Sequence, residues 1–424
     1  MCKYDGRDAI ITLFNGERIK YNNKKIYCQR KLSPSNKIEK VDGTVLELVY
    51  GPKQCLLTTF RLYCPFYASK NNEKTVKYEI GIKNLVDQKI EFHEFSLSTP
   101  ETIPRSFVSC MSRMIAYDDW ALLLVALETF RFYGGDLMVA YIECALKKVF
   151  DLMKLYESDG ILKIQHAYKS SDTPNIPYDS DGQIEYANQL TNSHQCLYEF
   201  KESAEFIAFT DWDDILIGLR INSGFGKFAD GFRQLSLKHQ FAAAFAVPRF
   251  QTNMKKTFQS EINPFSIEKT FNQIQYSTTE NLPPKMVVRP KFVAGVWIHQ
   301  LKVAENWRFH SITVNSATAV LLHLNNLISD IGIKEKYSTD SNSSNNSYTR
   351  LFHKLILNCY NKMEKYAMDG TIGYCPSYKA CVFPKQNVSV IKIKTTHKPS
   401  KKMTNLIWHE RDKIEFIENE KGCL

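Results

Sequence analysis

A chain of 424 residues is long enough for one large α/β domain and a smaller accessory region. Apolar residues make up 44% and aromatic residues 12%, which is typical of a globular protein with a sizeable core and excludes a disordered chain. The formal net charge is +10, from 55 basic and 45 acidic residues. The basic residues are scattered and no nucleic-acid-binding motif is present, so the excess favours a basic surface or a phosphate-bearing ligand over a nucleic acid.

The sequence contains 11 cysteines and no CxxC pair, so zinc and thioredoxin-type chemistry are poorly supported. This number is compatible with a few disulfides in an oxidising compartment. Cys55 with Cys64, and Cys375 with Cys381, are close enough in sequence to close small loops. The odd count leaves at least one thiol without an intrachain partner.

Targeting signals are weak in this sequence. The sequons at Asn342, Asn345 and Asn387 give little support to a secretory route, since two of them lie in a Ser/Asn-rich stretch. No segment approaches the ~20 apolar residues that cross a bilayer. The first residues, MCKYDGRDAIITLF, lack the apolar core of a signal peptide. We therefore expect either a cytosolic chain or one that lacks an upstream targeting segment.

Residues 1–104 read as a β-rich accessory region, because apolar or β-branched residues alternate between polar turns. Three segments carry this pattern most clearly: 44–50, 56–63 and 76–82.

From residue 105 the pattern changes to alternating strands and helices, which predicts an α/β fold with a mostly parallel sheet flanked by helices. Asp119 is a candidate N-cap of the first helix, and Gly134-Gly135 ends it. The predicted elements are strands at 106–111, 137–142, 161–165 and 205–210, and helices at 120–133, 145–156 and 183–203. Ligands of such sheets bind beyond the carboxyl ends of the strands.

The second half of the domain is less regular. Segments 241–247 and 286–296 are predicted strands, and 317–324 is a strand or a short helix. Residues 338–347 form a low-complexity polar loop. The domain is predicted to end near residue 385, and 386–424 form a charged C-terminal tail.

Four residues, Asp211-Trp212-Asp213-Asp214, follow the apolar strand directly. Carboxylates at a strand end can hold a divalent cation that neutralises a sugar-nucleotide diphosphate as its glycosidic bond breaks. Asp211 and Asp213 are the predicted metal pair, with Asp214 as a residue that orients them or the substrate. Considered alone, a DxD is more often a solvated turn, but its position at a strand end after three strand–helix units favours chemistry.

Several segments resemble glycosyltransferase family 92, a family of GT-A fold enzymes. The resemblance covers residues 105–385. It begins with SCMSRM and DDWALLLVALETFRFYGGDLMVAYI, and continues with QLTNSHQC and AEFIAFTDWDDILI, the most specific block. VVRPKFVAGVWIH, which ends at His299, and LLHLNN, which contains His323, are similar to two later family segments.

The resemblance implies a Golgi enzyme, usually anchored in the membrane, that transfers a hexose from a nucleotide sugar onto a glycan or glycoprotein. Family members are galactosyltransferase-like, using UDP-galactose and usually Mn²⁺. Asp211 and Asp213 match the family's metal-binding DxD, and His323 matches the third ligand, a donor set that suits Mn²⁺. A buried histidine bonded to backbone is an equally good interpretation of His323, and a better one of His299.

Four residues, near the strand ends or on the helix before the DxD, are candidate contacts for the nucleotide-sugar donor. Arg113 follows the first strand and is a candidate phosphate ligand, and Tyr141 is a candidate stacking partner for uracil. Gln189 and His194, on the helix before the DxD, are candidate nucleotide ligands. Each of these four residues has a packing or surface role as an equally good interpretation.

Inverting transfer needs a carboxylate base. Glu261 is the predicted base, with Asp230 and Glu280 as rivals.

Two departures from the family pattern leave another function open. The family's Asp before the cysteine is Gln195 here, and its Arg after the second histidine is Asn325. These changes favour a catalytically degenerate member that binds glycan or a partner protein, whereas the intact DxD favours an enzyme. A cytosolic phosphodiesterase or nuclease with paired carboxylates is a third hypothesis.

Overall fold

The computed structural model describes residues 2–4, 7–17, 25–49, 55–67, 73–83, 88–170, 176, 178–218, 220–221, 224–254, 274–276, 282–324, 389–403, 406–420 and 422. Several predictions fall outside these residues: Glu261, Glu280, Asn325, the three sequons, the polar loop and the Cys375–Cys381 loop.

The N-terminal region forms an antiparallel sheet. Its strands are β1 (Cys2–Tyr4), β2 (Arg7–Glu17), β3 (Ile26–Ser33), β4 (Ile38–Glu47), β5 (Leu57–Phe66), β6 (Lys74–Lys83) and β7 (Ile90–Phe95). The order is β1-β2-β5-β4-β3-β6-β7. Strand β4 links the two halves, because residues 38–43 pair with β3 and 44–47 with β5. The strands predicted at 44–50, 56–63 and 76–82 correspond to β4, β5 and β6, so the β-rich character of this region is confirmed.

The chain then alternates between strands and helices. The next elements are β8 (Arg105–Met114), α1 (Trp120–Phe132), β9 (Leu137–Ile142), β10 (Cys144–Leu146), α2 (Lys147–Ser158), β11 (Leu162–His166), α3 (Gln189–Phe200), β12 (Ala204–Thr210), β13 (Asp214–Ile217), β14 (Arg220–Ile221), β15 (Gly224–Phe225) and α4 (Phe228–Lys238). The remaining described strands are β16 (Ala242–Met254), β17 (Ile274–Tyr276), β18 (Leu282–Val288), β19 (Val293–Trp297), β20 (Gln300–Ala304), β21 (His310–Thr313), β22 (Val320–His323), β23 (Val390–His397), β24 (Lys401–Met403), β25 (Leu406–Trp408) and β26 (Arg411–Asn419).

The central sheet has the order β11-β9-β8-β12-β18-β16-β22-β13, with β17 and β21 paired to β16. Strands β11, β9, β8 and β12 are parallel, as strand–helix alternation predicts. The expectation of a mostly parallel sheet is not confirmed beyond them: β18 is antiparallel to both β12 and β16, and β13 is antiparallel to β22. Since β16 is parallel to β22 and β21, the sheet is mixed.

Both faces of this sheet are buried. Along β12, Phe206 and Ala208 belong to one hydrophobic cluster, and Ile207 and Phe209 belong to the other. This alternation follows from the two-residue repeat of a strand. Helices α1, α2 and α4 cover the first face, and α3 covers the second.

Two helices test the sequence predictions in detail. Helix α1 begins as expected, because the Asp119 side chain accepts a hydrogen bond from the Leu122 backbone N–H at 2.8 Å. It ends before Gly134, whose φ of +72° is the left-handed conformation that favours glycine. Helix α3 begins six residues later than the predicted helix at 183–203, since residues 186–188 all have positive φ, between 46° and 69°.

Disulfides cross-link both parts of the described chain. Cys28 pairs with Cys64 between β3 and β5, and Cys110 pairs with Cys196 between β8 and α3. The small loop that Cys55 and Cys64 could close is not formed, because Cys64 pairs across the sheet with Cys28. Cys55 is also disulfide-bonded, though not to Cys64.

The N-terminal sheet is tied to the rest of the chain by polar contacts. The Asn15 side-chain amide donates to Asn188 Oδ1 at 2.6 Å. Arg61 Nη1 donates to the Tyr198 hydroxyl at 3.0 Å and pairs with Glu305 at 3.1 Å. Strand β2 therefore packs beside α3 and beside the end of the segment that precedes this helix, at Asn188.

Within the part of the chain that the structure describes, no helix is long and apolar enough to cross a bilayer.

Candidate metal centre

Residues 211–214 connect the buried strand β12 to β13. The Asp214 backbone N–H donates to the Asp211 carbonyl at 3.0 Å, which closes the turn. The Asp213 carbonyl accepts from the Leu324 backbone N–H at 2.7 Å, and Asp214 stands opposite His323 in the β13–β22 pair. Backbone pairing therefore brings His323 beside the aspartates, although it lies 109 residues after Asp214.

Two carboxylates and an imidazole come together at this strand end. One ligand atom each from Asp213, Asp214 and His323 lies within 4.8 Å of the other two. His323 Nδ1 is 3.0 Å from Asp214 Oδ1 and 3.5 Å from Asp213 Oδ2. Two ligands about 2.1 Å from one ion and at right angles lie roughly 3 Å apart, so these spacings suit a six-coordinate divalent cation.

The hydrogen bonds of the group also leave room for a cation. Arg249 Nε donates to Asp214 Oδ1 at 2.6 Å, and Arg249 Nη2 lies 2.6 Å from His323 Nδ1. His323 Nδ1 in turn lies 3.0 Å from Asp214 Oδ1, so one guanidinium holds both side chains together. In addition, Asp214 Oδ2 is buried with no hydrogen-bond partner among the described residues. A bound cation would supply a partner for this oxygen, so the residues present fit a divalent metal.

Asp211, the first aspartate of the predicted metal pair, takes a different position. Its Oδ2 accepts from Lys285 Nζ at 2.6 Å, and Gln189 Nε2 donates to its Oδ1 at 3.4 Å. Asp214, which we had expected to orient the others, instead belongs to the group with Asp213 and His323. The β13–β22 register explains this exchange, because it sets Asp214 directly opposite His323.

Two buried cationic side chains of the site were not predicted from the sequence. Lys285 on β18 is 2% exposed and lies 3.5 Å from Asp214 as well as contacting Asp211. Arg249 on β16 is 8% exposed and holds Asp214 and His323 together. A signal was present for both, since a lone charge within an apolar strand needs a charged partner.

These charges divide the acidities of the neighbouring aspartates. Burial and the charge of Asp214 raise the pKa of Asp213 to about 7. Burial acts in the same sense on Asp214, but the His323 hydrogen bond and the charges of Lys285 and Arg249 outweigh it and hold that pKa at about 2. Burial lowers the pKa of Lys285, but the charges of Asp211 and Asp214 raise it by more. The net shift is upward, so the ammonium form is favoured.

Two of the four candidate nucleotide ligands are occupied or enclosed. Arg113 pairs with Glu143 at 2.5 Å and also donates to the Ala187 carbonyl, with its side chain 2% exposed. Tyr141 is 0% exposed, so its ring offers no face to a base. Their positions after strands suggested ligand contacts, but packing against α3 and its leading segment uses both side chains, and the structure does not support the predicted roles.

The two histidines differ from His323. His194 is fully buried, with Nδ1 2.7 Å from the Leu190 carbonyl and Nε2 accepting from the Val296 backbone N–H at 3.1 Å. Burial lowers its pKa to about 4. Both ring nitrogens are thus used in packing α3 against β19, which does not support a nucleotide contact. His299 lies 2.9 Å from the Pro284 carbonyl through Nδ1, matching the backbone-bonded interpretation.

Gln189 is the candidate nucleotide ligand that does reach the site, and it follows a strained segment. Left-handed φ values at Tyr186, Ala187 and Asn188 turn the chain sharply before α3. The centres of the Tyr186 and Trp297 rings lie 6.3 Å apart, and the Tyr186 hydroxyl interacts electrostatically with Lys285 and Asp211. An aromatic pair therefore lies beside the Asp211 side of the cluster, and the sequence pattern did not predict it.

The catalytic base stays a prediction. Glu261 and Glu280 lie outside the described residues. Asp230 is exposed on α4 and pairs with Arg233 at 3.0 Å, and Arg233 in turn reaches Ser106 at the start of β8. Asp230 is thus directed toward the end of the sheet opposite the acidic cluster, which does not favour it as the base.

The described residues thus form a mixed α/β domain with a carboxylate–imidazole group at a strand end. The family model "Glycosyltransferase family 92" matches residues 105–364. The chain belongs to glycosyltransferase family 92, as its sequence motifs predicted.

Relatives in Caenorhabditis elegans agree with this assignment. One glycosyltransferase family 92 protein is 25% identical over 80% of this chain and 72% of its own length. A second is 24% identical over 78% of this chain and 71% of its own, and a third is 28% identical over 50% and 42%. The crystal structure of S. aureus TarS residues 1–349 is similar only at a TM-score of 0.25 and 12% identity, over 44% of this chain and 47% of that one. Family membership supports glycosyltransferase activity.

Proposed function

We propose that this protein is a divalent-metal-dependent hexosyltransferase that uses a nucleotide-diphosphate sugar. The observation that carries the proposal is the group of Asp213, Asp214 and His323 at the end of β12, flanked by two buried cations. Galactose from UDP-galactose as the donor, Mn²⁺ as the metal, a glycan or glycoprotein acceptor and inversion at the anomeric carbon complete the proposal.

Asp213, Asp214 and His323 would hold the cation, which would supply positive charge to neutralise the diphosphate leaving group. Arg249 fixes Asp214 and His323 through its two hydrogen bonds, and Lys285 fixes Asp211. The side chains are therefore oriented before the substrate arrives, which avoids reorganisation during the reaction. Asp211 and Gln189, which lie together at the edge of the group, are placed to bind the nucleotide.

The transfer itself exchanges one bond for another at the anomeric carbon. The acceptor hydroxyl oxygen bonds to this carbon as the bond to the diphosphate oxygen breaks, and the diphosphate leaves with the electron pair. The hydroxyl proton passes to a carboxylate base, for which Glu261 stays our candidate.

The compartment follows from the same assignment. Disulfides such as Cys28–Cys64 and Cys110–Cys196 persist in oxidising surroundings. We infer that the protein acts in the Golgi lumen or at its membrane, where glycan acceptors are presented.

A donor screen tests the function. Purified protein is incubated with Mn²⁺ and UDP-galactose, UDP-glucose or UDP-N-acetylglucosamine, and released UDP is measured with and without glycan acceptors. We expect UDP release with one donor, its loss on chelation, and a fall of at least 100-fold in the Asp213→Asn variant, because one of three ligands loses its charge. The Asp230→Asn variant, altered at an exposed aspartate on α4, is the matched control and should retain full turnover.

The same screen separates a degenerate family member from an enzyme. Metal-dependent binding of a UDP-sugar without any release of UDP, across all acceptors, would favour the binding protein suggested by Gln195 and Asn325. Turnover unchanged in Asp213→Asn would count against the metal assignment.

A further inference from the structure

A large cavity lies at the opposite end of the central sheet from the acidic cluster. Its volume is about 1360 Å³, and Arg105, at the start of β8, and Ala204, at the start of β12, line it. The first three residues of β12 line the cavity, four residues separate Phe206 from Asp211, and a strand rises ~3.3 Å per residue. The cavity and the proposed metal centre are therefore separated by roughly 15 Å.

Positive charge dominates the cavity wall. Five cationic side chains line it against three carboxylates: Arg105, Lys201, Arg233, Arg289 and Lys291 against Glu202, Glu205 and Glu305. Glu205 holds Arg233 through contacts of 2.6–2.9 Å, and Glu305 holds Lys201 at 3.1 Å. Arg105, Arg289 and Lys291 have no carboxylate within ion-pair distance in the described ranges, so an anion is the ligand that this wall lacks.

Polar groups at the strand starts are buried without partners. Arg105 Nε and Ser203 Oγ make no hydrogen bond to any described residue, and Ser203 is 9% exposed. The two residues are adjacent, because the Arg105 backbone N–H donates to the Ser203 carbonyl at 2.8 Å. The edge of the cavity that these two residues form is therefore polar as well as cationic.

The facing wall combines a fixed guanidinium with aromatic rings. Arg289 Nη1 donates to the Gln240 and Ala242 carbonyls at 3.0 and 3.2 Å, and the guanidinium lies 4.3 Å from the centre of the Phe292 ring. Phe292 stacks on Phe309 with centroids 4.2 Å apart. Both rings are half-buried, so they offer apolar surface beside the cations.

We propose that this cavity binds an anionic saccharide, a sugar that carries a carboxylate, sulfate or phosphate group. The charged group contacts Arg105, Arg289 and Lys291, and the apolar face of the sugar ring packs against Phe309. A polyanion such as RNA needs a groove with successive cations along its backbone. Here the cations surround one bounded cavity, and two of them are already paired with carboxylates, which favours a short acidic glycan.

Calorimetry on the whole protein tests this site. The probes are a sulfated disaccharide, a glucuronate-containing disaccharide, a phosphorylated hexose and an uncharged disaccharide of matched size. We expect at least one anionic probe to bind roughly tenfold more tightly than the uncharged one, with affinity falling as salt is raised. Which anionic probe binds most tightly identifies the group that the cavity prefers.

Variants locate the binding. Lys291→Gln, at an exposed position, and Arg105→Gln should each weaken it about tenfold, since a hydrogen bond to a charged group is lost. Lys74→Gln, an exposed lysine on β6, is the matched control and should bind as the parent does. Binding of UDP-sugar with Mn²⁺ should be unchanged in all three.

Four outcomes would overturn the proposal. They are equal affinity for charged and uncharged probes, affinity unaffected by both cavity variants, displacement of the saccharide by UDP, and displacement by a short RNA at lower concentration than by the saccharide. The third would place the probe at the donor site, and the fourth would make the cavity a nucleic-acid site.

Discussion

Lys285 and Arg249 are the residues that decide how the candidate metal centre behaves without its ligand. Arg249 neutralises the buried carboxylate of Asp214, and Lys285 neutralises that of Asp211, which is partly exposed. Arg249 also fixes the histidine ring, which a bare pair of carboxylates would leave free to rotate. The centre is thus organised by protein charges, and a divalent cation would add to an arrangement that already exists.

His194 is a residue whose burial makes a prediction about acid stability. Burial holds its pKa at about 4, below the ordinary 6.5, so the folded state keeps it neutral. The unfolded chain takes up the proton first, and stability should therefore be lost as the pH falls from 6.5 toward 4, by up to ~1.4 kcal/mol per pH unit. We expect His194→Gln to be less stable at pH 8 and to show a shallower loss in acid, measured by urea unfolding at several pH values.

The exposed His310→Gln variant is the control for this experiment and should keep the parent's pH dependence. An unchanged acid slope in His194→Gln would show that His194 is not the group responsible.

At the same scale, the sequence located the cluster but not its contacts. An acidic run after an apolar strand identified residues 211–214, and motif similarity added His323. Which aspartate joins His323 depends on the register of β13 with β22, and strand register between distant segments is not written in either segment alone. For Arg113 and Tyr141, the positions near strand ends suggested side chains that reach a ligand, whereas both residues are buried.

The segment before α3 is the element that aims Gln189 at Asp211. Ala187 has φ 46° and ψ 51°, a conformation that costs a residue with a Cβ about 1 kcal/mol. Arg113 donates to its carbonyl, and the buried Asn188 follows it. Tertiary contacts therefore maintain a turn where sequence pattern predicted a continuous helix from residue 183.

Replacing Ala187 with glycine tests this explanation of the helix start. We expect Ala187→Gly to raise the free energy of unfolding by about 0.5–1 kcal/mol, since glycine adopts this conformation without strain. Ala126→Gly within α1 is the opposing control and should lower it by at least ~1 kcal/mol, as glycine does inside a helix. Chemical denaturation of both variants measures this, and destabilisation by Ala187→Gly would contradict the strain.

Other elements followed directly from pattern. The parallel set β11, β9, β8 and β12 arises from strand–helix alternation that is legible in the sequence, and α1 ends at its predicted glycine. Strands β13, β16, β18 and β22 complete the sheet from segments without that alternation. Their order depends on long-range pairing, so the mixed character of the sheet could not be predicted.

On the scale of the whole molecule, cross-links and polar contacts join the N-terminal sheet, α3 and the central sheet. Cys110–Cys196 lies where α3 packs on β8, and closes a loop of 86 residues. Arg61 reaches from the first sheet to Tyr198 on α3, and Asn15 reaches Asn188 immediately before α3. The N-terminal region therefore supports the helix that carries Gln189.

Removing that cross-link should destabilise the protein globally. We expect the double variant Cys110→Ala/Cys196→Ala to lose about 2–5 kcal/mol of unfolding free energy under oxidising conditions. Under reducing conditions the parent should fall toward the variant, which denaturation in the presence and absence of reductant would measure. A double variant as stable as the oxidised parent would mean that this disulfide does not hold α3.

Direct measurement of Mn²⁺ binding tests the account of the centre most closely. Electron paramagnetic resonance counts free Mn²⁺ as protein is added, with and without UDP. The account predicts one bound ion per chain in the parent and in Asp230→Asn, and at least tenfold weaker binding in Asp213→Asn and His323→Ala. Equal binding by the parent and both ligand variants, or none by the parent even with UDP present, would contradict it.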